Sequence, residues 1–223
     1  MAKCINQNSI NTSFLPIYFK HIKKYRMAGL LYKQIFLGFL VTLTLTSAIN
    51  PTWAARVLVG ARNAEFIRIS CQATTYPNLC YTSLSSHASD IRADPQLLAH
   101  TALTLTLQTA ESTSAVMVKM GKSQGLSHRE VGAMRDCVEE LRDSVNEIRK
   151  SLGEMKQLKG SDFNLKVNDI QTWVSAALTD EDTCTEGFAK GNVKAAVREA
   201  IVNVAHMTSN ALALINAFAA LHN

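Results

Sequence analysis

Between Ser127 and Met155, apolar residues fall at Val131, Met134, Val138, Leu141, Val145, Ile148, Leu152 and Met155, in alternating steps of three and four. Steps of that size place side chains on one face of an α-helix, so the spacing predicts one long amphipathic helix with a single buried stripe. Ser127 followed by Glu130 reads as a capping box, Leu126 as a staple onto Val131, and Gly125 as the break before them. A second helix should open at an Asp94 cap with Pro95 in its first position and run to about Gly121. Its stripe reads Leu98, Ala102, Leu105, Thr109, Ser112, Val116 and Met120, with many small residues that favour close packing. A third, over about Val167 to Phe188, turns Val167, Ile170, Val174, Ala177, Cys184 and Phe188 inward. The last runs from an Asn192 cap through Val193, Val197, Ile201, Val204, Thr208, Ala211, Ile215 and Phe218. No alternating strand pattern of useful length interrupts them. Four amphipathic helices joined by short polar loops predict an all-α, up-down-up-down four-helix bundle.

Ahead of the bundle stands the fragment "SCQATTYPNLC", residues 70–80, with Cys71 and Cys80 on either side of a Tyr-Pro step. Phe66, Ile67 and Ile69 suggest a short helical turn, and Pro77 can start another. Two short helices bury little on their own. A bridge closing the corner would fix the bend and contribute roughly 2.5 to 3 kcal/mol in the chain-entropy picture.

The first 64 residues contain no Asp or Glu, yet carry Lys3, Lys20, Lys23, Lys24, Arg26, Lys33, Arg56 and Arg62. Within them runs an apolar stretch from Ile35 to Ala48, shorter than the roughly 20 residues a membrane span needs. A basic lead, a short apolar run and the small residues that follow describe a secretory signal peptide, cleaved between about Ala48 and Ala55. A retained signal anchor is the rival, and Met27 is an alternative start. The expected organisation is therefore an N-terminal extension and signal peptide over 1–55 and one domain over 56–223, with no membrane association after cleavage. Removing the leader removes Cys4 and leaves four cysteines, Cys71, Cys80, Cys137 and Cys184, an even set suited to an oxidising compartment. It also removes the charge: of 23 basic residues 17 lie at or after Arg56, as do all 18 acidic ones. The basic pI thus belongs to the leader, and nucleic-acid binding is not expected.

Chemistry-bearing patterns are sparse. His21, His87, His100, His128, His206 and His222 are scattered, with neither His-Glu-x-x-His nor Cys-x-x-Cys spacing and no glycine-rich phosphate loop. No metal, cofactor or catalytic residue is expected. The acids Glu139, Glu140, Asp143 and Glu147 read first as a solvated helix face, and Asp180, Glu181 and Asp182 as acids that solubilise a turn near Cys184.

Four stretches nevertheless resemble one family, the plant invertase and pectin methylesterase inhibitors. They are "IRISCQATTYPNLC", "DCVEELRDSVNEI" from Asp136, "WVSAALTDEDTCTEGF" from Trp173 and "TSNALALINAF" from Thr208, in the family's order and spanning about 64–219. The resemblance implies a four-helix bundle carrying an N-terminal helical hairpin, with disulfides Cys71–Cys80 and Cys137–Cys184; four cysteines allow three pairings, and spacing alone does not choose. It further implies an enzyme inhibitor without catalysis of its own. Such a protein would be secreted to the cell wall and would bind pectin methylesterase one to one over the cleft that takes pectin. Carried over by motif, Glu139, Asp143 and Thr183, then Glu140 and Asp182, would make the contact. The alternative partner is an acid invertase. Invertase inhibitors of the family tend to carry Pro-Lys-Phe after the third helix, where this chain has Gly187, Phe188, Ala189, Lys190 and Gly191. The pro-region of a pectin methylesterase precursor is a further relative, set aside because the chain ends at Asn223 without a catalytic domain; a bundle without an enzyme target is the remaining class. One departure is Leu141, where the second signature often has an aromatic, a change expected to alter the local surface.

Overall fold

The computed structural model describes residues 32–40, 51–122, 126–186 and 192–222, and no strand occurs among them. The chain divides into two units, Met1–Ala55 and Arg56–Asn223. In the first, α1 (residues 32–40) exposes Tyr32, Ile35, Phe36, Leu37, Phe39 and Leu40. The remainder of the apolar leader, residues 41–48, lies outside the described residues.

Next come α2 (Pro51–Gln72), α3 (Pro77–Leu84), a 3-10 turn (Ser85–His87) and α4 (Ala88–Ile91), then the four long helices α5 (Pro95–Met120), α6 (His128–Met155), α7 (Phe163–Glu186) and α8 (Asn192–Ala220). Each long helix starts where its chemistry allows. Asp94 Oδ1 accepts the Leu97 N–H at 3.0 Å ahead of Pro95. Ser127 and Glu130 form a reciprocal box, Ser127 Oγ accepting the Glu130 N–H at 3.3 Å and the Glu130 carboxylate accepting the Ser127 N–H at 2.9 Å. Consecutive helices pack side by side and α8 returns against α5, closing a four-helix bundle. From Arg198 to Ala220, α8 is apolar enough by length and composition to cross a membrane. Its buried Ile201, Val204, Ala211, Leu214, Ile215 and Phe218 instead face the bundle core.

That core is two apolar clusters. The larger joins Leu103, Ile148, Ile170 and Ile215 to hairpin residues Ile67, Leu84 and Ile91. The smaller gathers Met117, Met134, Val138, Leu141, Ile201 and the Cys137–Cys184 pair. Between them along α5, α6 and α7 lie the buried polar residues Thr113, Ser144 and Glu181, and Thr208 of α8 is buried in contact with Glu181.

Besides the apolar contacts of Ile67, Leu84 and Ile91, one side chain latches the hairpin onto the bundle. Asn210 of α8, itself buried, accepts the Tyr76 N–H on Oδ1 at 3.0 Å and donates from Nδ2 to the Tyr76 carbonyl at 3.0 Å. An amide side chain thereby pairs both backbone groups of the residue that precedes α3, and the Tyr76 ring stacks on His206 with centroids 3.6 Å apart. The Cys71–Cys80 bridge, with Cα atoms 5.6 Å apart, ties α2 to α3 just beside this contact.

Several sequence expectations need correction. The helix before Cys71 is 22 residues long rather than a short turn, and Ile69 is exposed on it. On α6 every predicted stripe position is buried except Val131, 42% exposed in the first turn. On α5 the predicted stripe holds only at Leu98 and Ala102; the buried face then follows Leu103, Thr106, Ala110, Thr113 and Met117, leaving Ser112 and Val116 outside. Both faces read as mixtures of small and aliphatic residues, and buried threonines fit the interior because their hydroxyls bond back along the helix, as Thr106 does to the Ala102 carbonyl at 2.9 Å. Leu141 is fully buried, so the departure from the family signature changes core packing rather than surface. Asn192 is the first residue of α8, while Phe188 and the side chains of Val193 and Val197 lie outside the description.

Replacing Asn210 with Ala should remove both bonds to Tyr76 and cost about 2 kcal/mol. Amide exchange should accelerate over residues 76–84 while α6 and α7 keep their protection; unchanged exchange in the hairpin would show that the Asn210 contact does not hold it.

Candidate functional site

The chemistry gathers on α6 and α7. Cys137 and Cys184, with Cα atoms 4.3 Å apart, bridge the two helices toward the start of α6 and the end of α7. One helical turn from Cys184 sits Glu181, with no exposed surface at all. Its Oε1 meets Ser144 Oγ of α6 at 2.7 Å and Thr208 Oγ1 of α8 at 2.9 Å, so this carboxyl ties three helices together. Its Oε2 is buried without a hydrogen-bond partner among the described residues. Burial pushes the carboxyl from 4.5 up to about 7, against the pull of the Ser144 and Thr208 hydroxyls, and the charges of Asp182 and Asp180 push the same way as burial. Thr208 Oγ1, which donates to Glu181 Oε1, also lies 3.1 Å from the Val204 carbonyl, so its hydroxyl is shared between the carboxyl and its own helix.

With Glu181 inward, Asp180 lies on the flank of α7 that faces α6. Partial burial and then the charges of Glu140, Asp143 and Glu147 push its carboxyl up to about 6. Those four acids form a ridge along the α6–α7 seam. Glu147 is its most sheltered member: Oε1 accepts from Lys150 Nζ at 2.9 Å, while Oε2 is buried without a partner among the described residues. At the disulfide end the ridge opens into a groove lined by Arg129, Asp136, Glu140, Thr183 and Glu186. Thr183 is exposed there, its hydroxyl donating to the Thr179 carbonyl at 2.8 Å.

Of the residues singled out in the sequence, Glu140, Asp143 and Thr183 thus fall on or beside one surface. Glu139 and Asp182 are exposed. At about 100° per residue, Glu139 lies about 40° from Asp143, at the outer margin of the ridge, whereas Asp182 stands about 200° from Asp180, on the opposite flank of α7. Asp180 joins the ridge and Glu181 turns inward, although the sequence reads both as surface acids; the step of three and four from Val174 through Ala177 to Cys184 has a vacant slot at position 181, which is a signal for an inward glutamate. Among the described residues no group of three or more His, Cys, Asp or Glu is arranged to hold a metal ion.

Comparison with known proteins is direct. Residues 65–214 match the family model described as plant invertase/pectin methylesterase inhibitor. The chain belongs to this inhibitor family. Among curated relatives, pectinesterase inhibitor 11 of Arabidopsis thaliana is 42% identical over 201 residues, covering 86% of this chain and 98% of that protein. The "21 kDa protein" of Daucus carota is 45% identical over 180 residues, covering 76% and 93%. Among solved structures, a crystal structure of a mutant form of a pectin methylesterase inhibitor from Arabidopsis shares the fold. Its TM-score is 0.56 at 23% identity, over 66% of this chain and 92% of that one. The two disulfides that membership in the family implies, Cys71–Cys80 and Cys137–Cys184, are both formed. The stretch 187–191, where invertase-directed members tend to carry Pro-Lys-Phe, lies outside the described residues.

Buried Glu181 contributes to the pH dependence of stability. Its pKa is higher folded than unfolded, so the stabilisation is complete below about 4.5 and is lost as pH climbs to about 7. The span corresponds to roughly 3 kcal/mol, and Asp180 acts with the same sign. Thermal unfolding should therefore show a higher Tm at pH 4.5 than at pH 8. Glu181→Gln should reduce that slope, leaving the part due to Asp180, and unfold later than wild type at pH 8; an undiminished slope would place its origin elsewhere.

Proposed function

We propose that the protein is a secreted inhibitor of pectin methylesterase that binds its target one to one and covers the pectin-binding cleft. The observation that carries this reading is the acidic ridge of Glu140, Asp143, Glu147 and Asp180, set on two helices that a disulfide and a buried carboxyl hold in fixed register. Carboxylates presented on a rigid surface can pair with donors in and around a cleft with little loss of side-chain freedom beyond their own. Thr183, at the end of the ridge, would lie against the rim. Inhibition is then steric: while the ridge occupies the cleft, the polysaccharide cannot enter. Membership of the inhibitor family supports the target class, and relatives at 42% and 45% identity include a protein named as a pectinesterase inhibitor. Glu139 and Asp182, which stand off the ridge, contribute at its margins.

The acid-free leader supports secretion to the cell wall, with the domain beginning near Arg56. N-terminal sequencing of protein recovered from extracellular fluid should start between about Ile49 and Arg56; recovery with Ile35 to Ala48 intact would make the segment an anchor.

Titrated against a plant pectin methylesterase, the protein should inhibit at near-stoichiometric concentration and leave acid invertase active. Asp143→Ala should weaken inhibition about ten- to a hundredfold with an unchanged helical CD spectrum, the range expected for a desolvated charge-assisted contact. Thr183→Trp should be more damaging than Thr183→Ala, because bulk at the rim clashes. Potent inhibition of invertase with none of pectin methylesterase would reverse the assignment.

A further inference from the structure

On the other side of α6 the chemistry is inverted. Arg135, Arg142 and Arg149 recur every seven residues, two helical turns or about 10.5 Å apart, and so share one face of the helix. Arg142 and Arg149 line a groove that runs between α5 and α6, away from the α6–α7 seam. Its floor is apolar, with Val118 and the nearly buried Val145, and Ser114 and Asn146 offer hydrogen bonds along its sides. Glu111 of α5 closes one end by accepting from Arg149 Nη2 at 2.6 Å. Arg142 has neither a hydrogen bond nor an ion pair among the described residues, so its guanidinium is available to an incoming anion.

We propose that this groove binds an acidic polysaccharide, a chain of de-esterified uronates such as the demethylated pectin that the target enzyme leaves behind. The choice of a pectin-derived polymer rests on the function proposed above. The groove itself supplies the rest. Guanidinium forks match carboxylates, the valine floor accommodates the apolar face of a sugar ring, and Ser114 and Asn146 suit its hydroxyls. The groove runs along two helices and is lined by two guanidiniums, hydroxyl partners and valines, a mixed lining that suits an extended anionic sugar chain. Glu111 acts as an internal competitor, occupying Arg149 until a carboxylate of the ligand replaces it. Because the acidic ridge lies on the opposite flank of α6, enzyme and polymer can be held at the same time, which would keep the inhibitor on wall already demethylated.

The test is an NMR-monitored titration of the purified protein with a de-esterified oligogalacturonide, its methyl-esterified counterpart and polyglutamate. The de-esterified oligosaccharide should shift resonances of Ser114, Arg142 and Asn146, bind more weakly as salt rises, and outcompete both controls. Arg142→Ala, an exposed change, should lower affinity about tenfold, and Glu111→Gln should raise it several-fold by freeing Arg149. Asp143→Ala should bind the oligosaccharide as wild type does while losing inhibition, and Arg142→Ala should do the reverse, so the two claims fail independently. Equal binding of the esterified oligosaccharide or of polyglutamate, or indifference to Arg142→Ala, would overturn the site.

Discussion

A single buried carboxyl organises this bundle. Glu181 has no exposed surface, and its Oε1 collects hydroxyls from α6 and α8. An interior of this kind penalises a polar group that lacks partners, so the Oε1 contacts favour one relative height of the three helices. Hydrophobic packing alone is less demanding, since apolar stripes can slide or repack at modest cost. On α6 and α7 the two apolar clusters lie on either side of this polar contact, and the burial of Ser144 and Thr208 beside Glu181 belongs to the same constraint.

The proposed function inherits that register. Turning Glu181 inward places Asp180 on the seam, close enough to Glu140, Asp143 and Glu147 for its carboxyl to rise to about 6. Four acids crowded along two helices repel one another, and without restraint the helices would separate to relieve them. The Cys137–Cys184 bridge and the Glu181 contacts oppose that separation from within, which keeps a high density of negative charge on a rigid surface. The same helix carries its arginines on the opposite flank, so α6 presents opposite charge on its two sides although residues 56–223 are nearly neutral overall.

Much of this was legible in the chain. The three-four spacing on α6, its capping box and the Asp94-Pro95 start each depend on local chemistry, and each holds in the structure. The cysteine signatures and the family motifs located the hairpin and both bridges. What the sequence hid has physical causes. On α5, alanines and threonines fill both candidate faces, so periodicity could not fix which one packs inward. Glu181 was grouped with its acidic neighbours, although its place in the α7 stripe was an inward one. The Asn210 latch joins residues 134 apart, and no local pattern announces a long-range bond between a side chain and a backbone. Membership of the acidic ridge depends on helix rotation, which sets Glu140, Asp143 and Glu147 along the seam with Glu139 at its outer margin, and leaves Asp182 on the far flank of α7.

Carboxylate footprinting of the complex with pectin methylesterase would locate the contact without substitution. Carbodiimide labelling read by mass spectrometry compares each acid in the free and the bound protein. Glu140, Asp143 and Asp180 should lose reactivity on binding, while the exposed Glu65 and Glu111 remain as reactive as before. Protection confined to Glu65 or Glu111, with the α6–α7 acids still fully labelled, would contradict an inhibitory surface on the ridge.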